Sequence, residues 1–170
     1  MSDQDNSAKP PYFSFTTFRN FAKSLKEGVM PSRIDSTVPF MDGQSGTIRS
    51  YIISTLKFFE LIDKDGVPQE SLVKLVNACE SDSEHLEWER LFNSHYKPFL
   101  NGLDLKADTV GQLREVFQGH GMSGETVRKA HTFLLGLLDA AKIPVVDHLR
   151  KVGSSKPAKK RQKKATATSK

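Results

Sequence analysis

Five histidines and one cysteine are the side chains of this sequence with the most distinctive metal-ligating and nucleophilic chemistry. The histidines are His85, His95, His120, His131 and His148. They show no metal-ligand spacing with Cys79 or with paired acidic residues. A Gly119-His120-Gly121 segment with Gly124 is better explained by a turn between helices than by a phosphate-binding loop. The sequence therefore predicts no catalytic site, no metal and no cofactor, and we expect a binding protein rather than an enzyme.

Two of these reactive side chains lie in apolar stretches. His131 falls within the most apolar helical pattern of the chain, which predicts a hydrogen-bonded core histidine. Cys79 follows the apolar residues Leu72, Leu75 and Val76, which predicts a small buried side chain. A single cysteine forms no internal disulfide, so we expect a reducing compartment.

Positive charge is concentrated at the C-terminal end. The chain has 25 basic and 20 acidic side chains, but residues 153–170 contain seven basic residues and no acid. These tail cations are Lys156, Lys159, Lys160, Arg161, Lys163, Lys164 and Lys170. The other 152 residues carry 18 basic against 20 acidic groups, so the sequence pI near 9.3 reflects the tail.

The tail SSKPAKKRQKKATATSK shows no apolar periodicity, which predicts a disordered segment over residues 149–170. Its cations match up to about seven phosphates, with a salt dependence of roughly six on a log-log scale as an upper bound. The predicted partner is nucleic acid, DNA in the first place, bound with little sequence preference. A solubilising end without a ligand is one alternative. An anionic membrane is another, disfavoured because the tail has no aromatic or lipidated anchor.

The chain shows neither a membrane span nor a secretion signal. No apolar run approaches the roughly 18 residues that a transmembrane helix needs. The polar N-terminus carries Asp3 and Asp5 and is unlike a basic, then apolar, signal peptide. We expect no membrane partner and a cytoplasmic protein, with the nucleoid as a candidate location.

Apolar residues recur at helical spacing along most of the chain. Serine and threonine precede several of these stretches as N-caps, and glycine or proline follows them. The Asp65-Gly66 pair favours a tight hairpin over Leu61 to Pro68. The predicted helices run from about Thr16 to Glu27, Ser45 to Ile62, Gln69 to Cys79, Ser83 to Phe99, Thr109 to Phe117 and Ser123 to Ala141.

An internal similarity relates the two halves of the chain. Placing Ser45 to Pro68 over Ser123 to Val145 aligns Ser-Gly with Ser-Gly and pairs Phe59 with Leu138. We therefore predict a mainly α fold with two winged helix-turn-helix-like helical lobes in tandem and a disordered basic C-terminal tail. The predicted segments are a disordered N-terminus at 1–11, lobes at 12–79 and 85–148, an acidic linker at 80–84, and the tail at 149–170.

In a winged helix-turn-helix the third helix contacts bases with residues near its N-terminus, and helix N-termini contact phosphates. The predicted contacts are Arg33, Thr47, Arg49, Ser50 and Lys57. Arg33 has a structural alternative, a local salt bridge or cap with Asp35. Glu60 and Asp63 lie on or just beyond the same helix, and the body is mildly acidic, which argues against base-specific binding. The tail cations complete the predicted nucleic-acid site.

A protein-interaction module without direct nucleic-acid binding is the competing prediction. The acid run Glu80 to Glu89 is typical of a solvated linker and helix N-terminus, and also fits an acidic docking surface. A second candidate surface is an exposed stripe of Phe13, Phe15 and Phe40. The oligomeric state stays open.

The segment Tyr12 to Val76 carries a recognisable pattern. A Thr-Phe helix ends in Leu-Lys-Glu-Gly, Pro-x-Arg-Ile-Asp follows, Ser-Gly opens a long helix, and Leu-Ile-Asp-x-x-Gly-x-Pro closes it. This pattern resembles a prokaryotic family of uncharacterised proteins, domain of unknown function family 5343. With the later stretches Thr109 to Phe117 and Ser123 to Ile143, the resemblance covers about residues 12–146. It implies no established activity and no catalytic residues, and the basic tail lies outside the shared domain.

Overall fold

The computed structural model describes residues 9–154, with side chains through residue 150. This part of the chain is mainly helical and contains no β-strand. The helices are α1 (Phe15–Glu27), α2 (Gly46–Phe58), α3 (Glu70–Ala78), α4 (Glu84–Leu91), α5 (Lys97–Phe99), α6 (Val110–Gly119), α7 (Glu125–Ala140) and α8 (Asp147–Ser154). A 3₁₀ turn spans Pro39–Met41, and a π-helical segment, Phe92–Tyr96, joins α4 to α5.

Side-chain caps set the starts of three helices, α1, α2 and α6. The hydroxyl of Ser45 accepts the amide N–H of Ile48, which fixes the start of α2. Thr109 and Gln112 form a reciprocal capping box at α6. The predicted Ser123 cap is wrong. Helix α7 begins at Glu125 without a side-chain cap, because the preceding Gly124 has a φ of 53° and turns the chain into the helix.

Helices α2 and α7 end in the same way. In each, a residue with positive φ follows the helix, and the next amide N–H bonds back to a carbonyl five residues earlier. Leu61 donates to Leu56 at 2.8 Å, and Ile143 donates to Leu138 at 2.9 Å. This geometry matches Leu56 with Leu138, whereas the sequence alignment pairs Phe59 with Leu138. Helix α2 therefore ends at Phe58, four residues before the predicted end at Ile62.

The hairpin predicted after α2 is present as a short turn without regular strands. Ile62 and Pro68 form an isolated antiparallel bridge, and the N–H of Asp63 donates to the carbonyl of Val67 at 3.0 Å. Gly66 has a φ of 86°, the conformation that a tight reversal requires of one residue.

One hydrophobic core joins the two predicted lobes. Helix α1 packs against α3 and α7, and α7 also packs against α4. At the centre, the ring of Phe18 lies 6.1 Å from that of Phe59 and 6.2 Å from those of Trp88 and Phe133. All four side chains are fully buried. The lobe boundaries stay predictions, and the halves on either side of them share this aromatic cluster.

The N-terminal segment is part of the core. Pro10 and Pro11 are buried although they fall within the segment predicted as disordered. Phe13 and Phe15 are 7% and 9% exposed, and Phe40 is half-buried. The predicted exposed stripe of these three phenylalanines is therefore wrong, because the first two pack against the core. Cys79 and His131 are buried, as predicted.

At the other end, α8 extends through Ser154 and overlaps the start of the predicted disordered tail. The tail cations lie outside the described residues, so the predictions made for them stand as predictions. No helix between residues 9 and 154 is both long enough and apolar enough to cross a membrane.

Candidate nucleic-acid interface

Helix α2 presents a row of exposed polar side chains, which we name the polar face of α2. It consists of Thr47, Ser50, Ser54 and Lys57. Their spacing of three, four and three residues places them along one side of a helix. The opposite side is buried through Ile52, Thr55 and Leu56. Three of the predicted contacts thus share one solvent-facing surface.

Arg49 has a different position from its neighbours. Its guanidinium donates to the carbonyl oxygens of Gln44 at 3.0 Å and Ser36 at 2.8 Å, and lies 4.0 Å from the carboxylate of Asp42. These three partners belong to the loop that precedes α2. The side chain therefore holds that loop against the start of the helix and is only partly exposed.

Arg33 is exposed and lies beside the hairpin, where its Cγ is next to Gly66. Among side chains up to residue 150, Arg33 and Asp35 do not form an ion pair with each other. Instead, the carboxylate of Asp35 accepts the amide and the hydroxyl of Thr37, at 2.9 and 2.5 Å. These hydrogen bonds lower the pKa of Asp35 below its ordinary value. Asp35 therefore closes a local turn with Thr37, and the predicted cap of the next short helix is wrong, because Pro39–Met41 begins without a side-chain cap.

A groove of about 1150 Å³ adjoins the polar face of α2. It lies between the C-terminal half of α2, the N-terminal segment 9–13, the base of the hairpin and the end of α4 with the π-helical segment. Ser54 and Lys57 line it directly, whereas Thr47 and Ser50 lie outside it. The polar face and the groove thus form one continuous surface along α2.

Basic side chains line the groove. Lys9, Lys57 and Lys64 are exposed there, and within the described part of the chain none of them forms an ion pair. Arg90 also lines the groove, and its Nε donates to Glu87 at 2.9 Å. Its Nη2 is buried and has no hydrogen-bond partner among the described residues. Three ammonium groups are therefore available to an anionic ligand.

The acidic side chains of the groove are mostly engaged elsewhere. One carboxylate oxygen of Asp63 accepts the amides of Asp65 and Val67 in the hairpin turn. Glu70 pairs with Lys74 one helical turn further along α3, at 3.1 Å. Glu60 is exposed and has no such partner among the described side chains. Among the described residues the groove has three lysines without an ion pair against two carboxylates without one, those of Glu60 and Asp63, so its accessible charge is positive.

Aromatic rings form part of the groove surface. Tyr12 and Tyr51 are half-buried and meet edge to face with ring centroids 4.9 Å apart. Phe13 supports Tyr51 from the core at 5.8 Å. Burial raises the pKa of the Tyr12 hydroxyl, and the neighbouring Tyr51 raises it further. The two tyrosines are therefore held by packing in fixed orientations at the rim of the core.

The π-helical segment supplies Ser94 and His95 to the groove. Such segments are inserted turns in an α-helix and occur frequently at functional sites. The imidazole of His95 is half-buried against Phe59, with ring centroids 5.9 Å apart. Burial lowers the pKa of His95, while the charge of Glu60 opposes that shift.

Sequence reasoning identified Lys57 in the groove but missed its other residues. Ser54 was recognisable, because it follows Ser50 at the spacing of one helical turn. The aromatic and cationic contributions of Tyr12, Tyr51 and Arg90 come from segments far apart in sequence, and no local signal marks their meeting. Among side chains up to residue 150, no three acidic, histidine or cysteine side chains come together as a metal site.

Comparison of the chain with protein-family models, with curated proteins and with solved structures finds no match. The resemblance to the uncharacterised prokaryotic family therefore stays a prediction.

Proposed function

We propose that this chain is a DNA-associated protein that binds nucleic acid through the polar face of α2 and the adjoining groove. The observation that carries the proposal is the continuous row of exposed hydroxyls on α2, which leads into a groove with three lysines that form no ion pair among the described residues. Hydroxyl and ammonium groups are among the donors that proteins use on phosphate oxygens. The tail cations add affinity without sequence preference.

A winged helix-like arrangement supports this orientation. In the first half, α2 follows a loop with a 3₁₀ turn and precedes the hairpin, as a recognition helix precedes a wing. In the second half, α6 and α7 are joined by the short five-residue turn 120–124, one residue longer than the roughly three to four residues typical of a helix-turn-helix. We infer two such units in tandem, the first with the wing and the second with the more regular helix pair.

The proposed contacts have different roles. Thr47 and Ser50 lie in the N-terminal half of α2, where a recognition helix approaches base edges and phosphates. Lys57 and Arg33 are placed for phosphate contacts at the groove and beside the hairpin. Arg49 acts as a positioning residue, because its guanidinium is occupied by the loop before α2. A cytoplasmic location with the cell's DNA follows from this proposal.

The test is binding of a fluorescent DNA duplex by the full chain at several salt concentrations. A full-length variant with Lys156, Lys159, Lys160, Arg161, Lys163 and Lys164 replaced by glutamine removes most of the tail charge. We expect weaker binding and a log-log salt slope smaller by about 0.9 for each phosphate that the tail no longer neutralises. We also expect residual binding by the folded part, which Lys57→Gln reduces further.

The control for Lys57→Gln is Lys106→Gln, which removes an equally exposed charge outside the groove. Equal decreases in affinity in both variants would show that net charge alone governs binding and would contradict a role for α2. Absence of binding by the unmodified chain to duplex and to single strands alike, even at low salt, would overturn the proposal and favour a protein partner instead.

A further inference from the structure

We propose that the groove beside α2 holds an unpaired nucleic-acid strand, so that the chain prefers single strands to duplexes. This inference rests on the proposed function and names the form of nucleic acid that the groove accepts. It depends on three properties of the groove: its concave shape, its aromatic surface and its free lysines.

The shape favours a flexible strand. A volume of about 1150 Å³ exceeds the roughly 300–1,000 Å³ of a typical small-molecule pocket, so the groove has room for more than one nucleotide. Residues of the N-terminal segment, the hairpin and the π-helical segment line the groove beside Ser54 and Lys57. A rigid duplex follows such a concave surface less closely than a flexible single strand does.

The aromatic residues provide stacking positions. Every base has a π-face, and proteins that bind single strands stack successive bases on aromatic rings in a positively charged groove. Tyr12 and Tyr51 reach the groove with part of each ring exposed, and His95 adds a third flat side chain. Packing against Phe13 and Phe59 fixes these rings, so little order has to be gained on binding.

The lysines of the groove provide contacts for the phosphates of the nucleic-acid strand. Lys9, Lys57 and Lys64 come from three separate segments, and each has its ammonium group unpaired within residues 9–150. Phosphates spaced along a strand require cations spaced along a groove, which three separate segments provide. Glu60 lies exposed at this surface without a cationic partner among the described side chains, and its charge repels phosphate. We therefore expect Glu60→Gln to increase the affinity for single strands.

The test compares a 20-nucleotide thymidine strand, a 20-nucleotide uridine strand and a 20-base-pair duplex, each bound by the full chain at the same salt concentration. We expect tighter binding of the strands than of the duplex, and the thymidine and uridine arms distinguish DNA from RNA. Tyr51→Leu keeps an apolar side chain against Phe13 and removes the stacking face. It should lower single-strand affinity about tenfold, and by a larger factor than it lowers duplex affinity.

Two results would overturn the inference while leaving nucleic-acid binding intact. One is equal affinity for strands and duplex. The other is a single-strand preference that both Tyr51→Leu and Lys57→Gln leave unchanged, because the strand would then lie outside the groove. Lys57 is exposed, so Lys57→Gln should not disturb folding. Weaker single-strand binding by this variant, but not by Lys106→Gln, would support binding of the strand in the groove independently of Tyr51. Failure of the unmodified chain to bind any of the three probes would overturn the proposed function itself.

Discussion

The guanidinium of Arg19 forms two hydrogen bonds with the carboxylate of Glu84, at 2.6 and 2.9 Å, across 65 positions of the sequence. The same carboxylate accepts the indole N–H of Trp88 at 3.0 Å and the amide of Glu80 at 2.9 Å. Glu84 is 8% exposed, so the expectation of a solvated acid run is wrong at this position. Its four hydrogen bonds tie α1 of the first half to α4 of the second.

Glu84→Gln should lower the free energy of unfolding at neutral pH by about 2 kcal/mol, because it weakens hydrogen bonds to a charged acceptor. The hydrogen bonds from Arg19 in the first place lower the pKa of Glu84 from 4.5 to about 2. Because the folded pKa is the lower one, this stabilisation is complete above about pH 4.5 and is lost as the pH falls towards 2. Urea unfolding at pH 7 and at pH 3 measures both effects.

The matched control is Glu115→Gln on α6, where the carboxylate is exposed. We expect a change within about 0.5 kcal/mol for that variant. A Glu84→Gln variant as stable as the control would show that the Arg19 pair only offsets its own desolvation, as some buried ion pairs do.

Gly66→Ala should destabilise the protein more than Gly43→Ala does. Both glycines have positive φ, 86° and 82°, so both substitutions carry the backbone strain of about 1–2 kcal/mol for a left-handed alanine. A Cβ on Gly66 would also lie 2.6 Å from the carbonyl oxygen of Ile34, whereas one on Gly43 meets open space. The amide of Ile34 donates to the carbonyl of Gly66 at 2.8 Å, so the clash falls where the hairpin docks.

Thermal or urea unfolding of the two variants measures the difference between their free energies of unfolding. Because both variants carry similar backbone strain, this difference reports the close contact of the added Cβ at residue 66. We expect Gly66→Ala to cost at least about 1 kcal/mol more than Gly43→Ala. Equal costs would indicate that the hairpin moves freely away from the preceding loop, and would weaken its assignment as a fixed wing.

His131 should make stability depend on pH below about 6.5. Burial lowers the pKa of its imidazole below 6.5, and Arg114 lowers it further, while the backbone of Leu149 opposes the shift. The unfolded chain therefore binds a proton at a pH where the folded chain does not. Stability is complete above about pH 6.5 and decreases as the pH falls towards the folded pKa.

Urea unfolding at a series of pH values measures this slope. His131→Gln should reduce the dependence of stability on pH. Part of that dependence should remain, because burial also lowers the pKa of His95. His120→Gln is the control, because that imidazole is exposed. An unchanged slope in His131→Gln would place the proton uptake at another group.

Local signals in the sequence account for most of the secondary structure. The caps at Ser45 and Thr109 and the hairpin at Asp65-Gly66 each depend on residues within a few positions, and the structure has all three. The end of α2 was missed because Glu60 adopts positive φ, which non-glycine residues rarely do and no sequence signal marked. Helical periodicity alone continued the prediction to Ile62.

The candidate site was less predictable because it depends on contacts between distant segments. Lys57 and Ser50 were recognisable from the helix pattern of α2. The burial of Phe13 and Phe15 depends on α7, since both rings lie near Phe133, at 5.7 and 5.4 Å. A π-helical insertion such as Phe92–Tyr96 changes the register of a helix without a composition signal, so the position of His95 beside α2 follows only from the tertiary structure.

Ser50→Glu and Arg49→Gln should separate contact from positioning on α2. Ser50 is exposed, and glutamate is a good helix former, so the free energy of unfolding should change by less than about 0.5 kcal/mol. The added negative charge should nevertheless lower DNA affinity several-fold, because it faces phosphate. Arg49→Gln should lower the free energy of unfolding by about 1–2 kcal/mol, because it removes the hydrogen bonds to Gln44 and Ser36.

The salt dependence of duplex binding decides the role of Arg49. A residue that contacts phosphate contributes about 0.9 to the log-log salt slope, whereas a residue that only holds a loop contributes nothing to it. Because the guanidinium of Arg49 is bonded to backbone carbonyls, we expect Arg49→Gln to leave the slope unchanged at a temperature where the variant is folded. A slope reduced by about 0.9 would mean that Arg49 leaves Gln44 and Ser36 on binding and reaches the DNA itself. That result would make the loop before α2 a moving part of the interface.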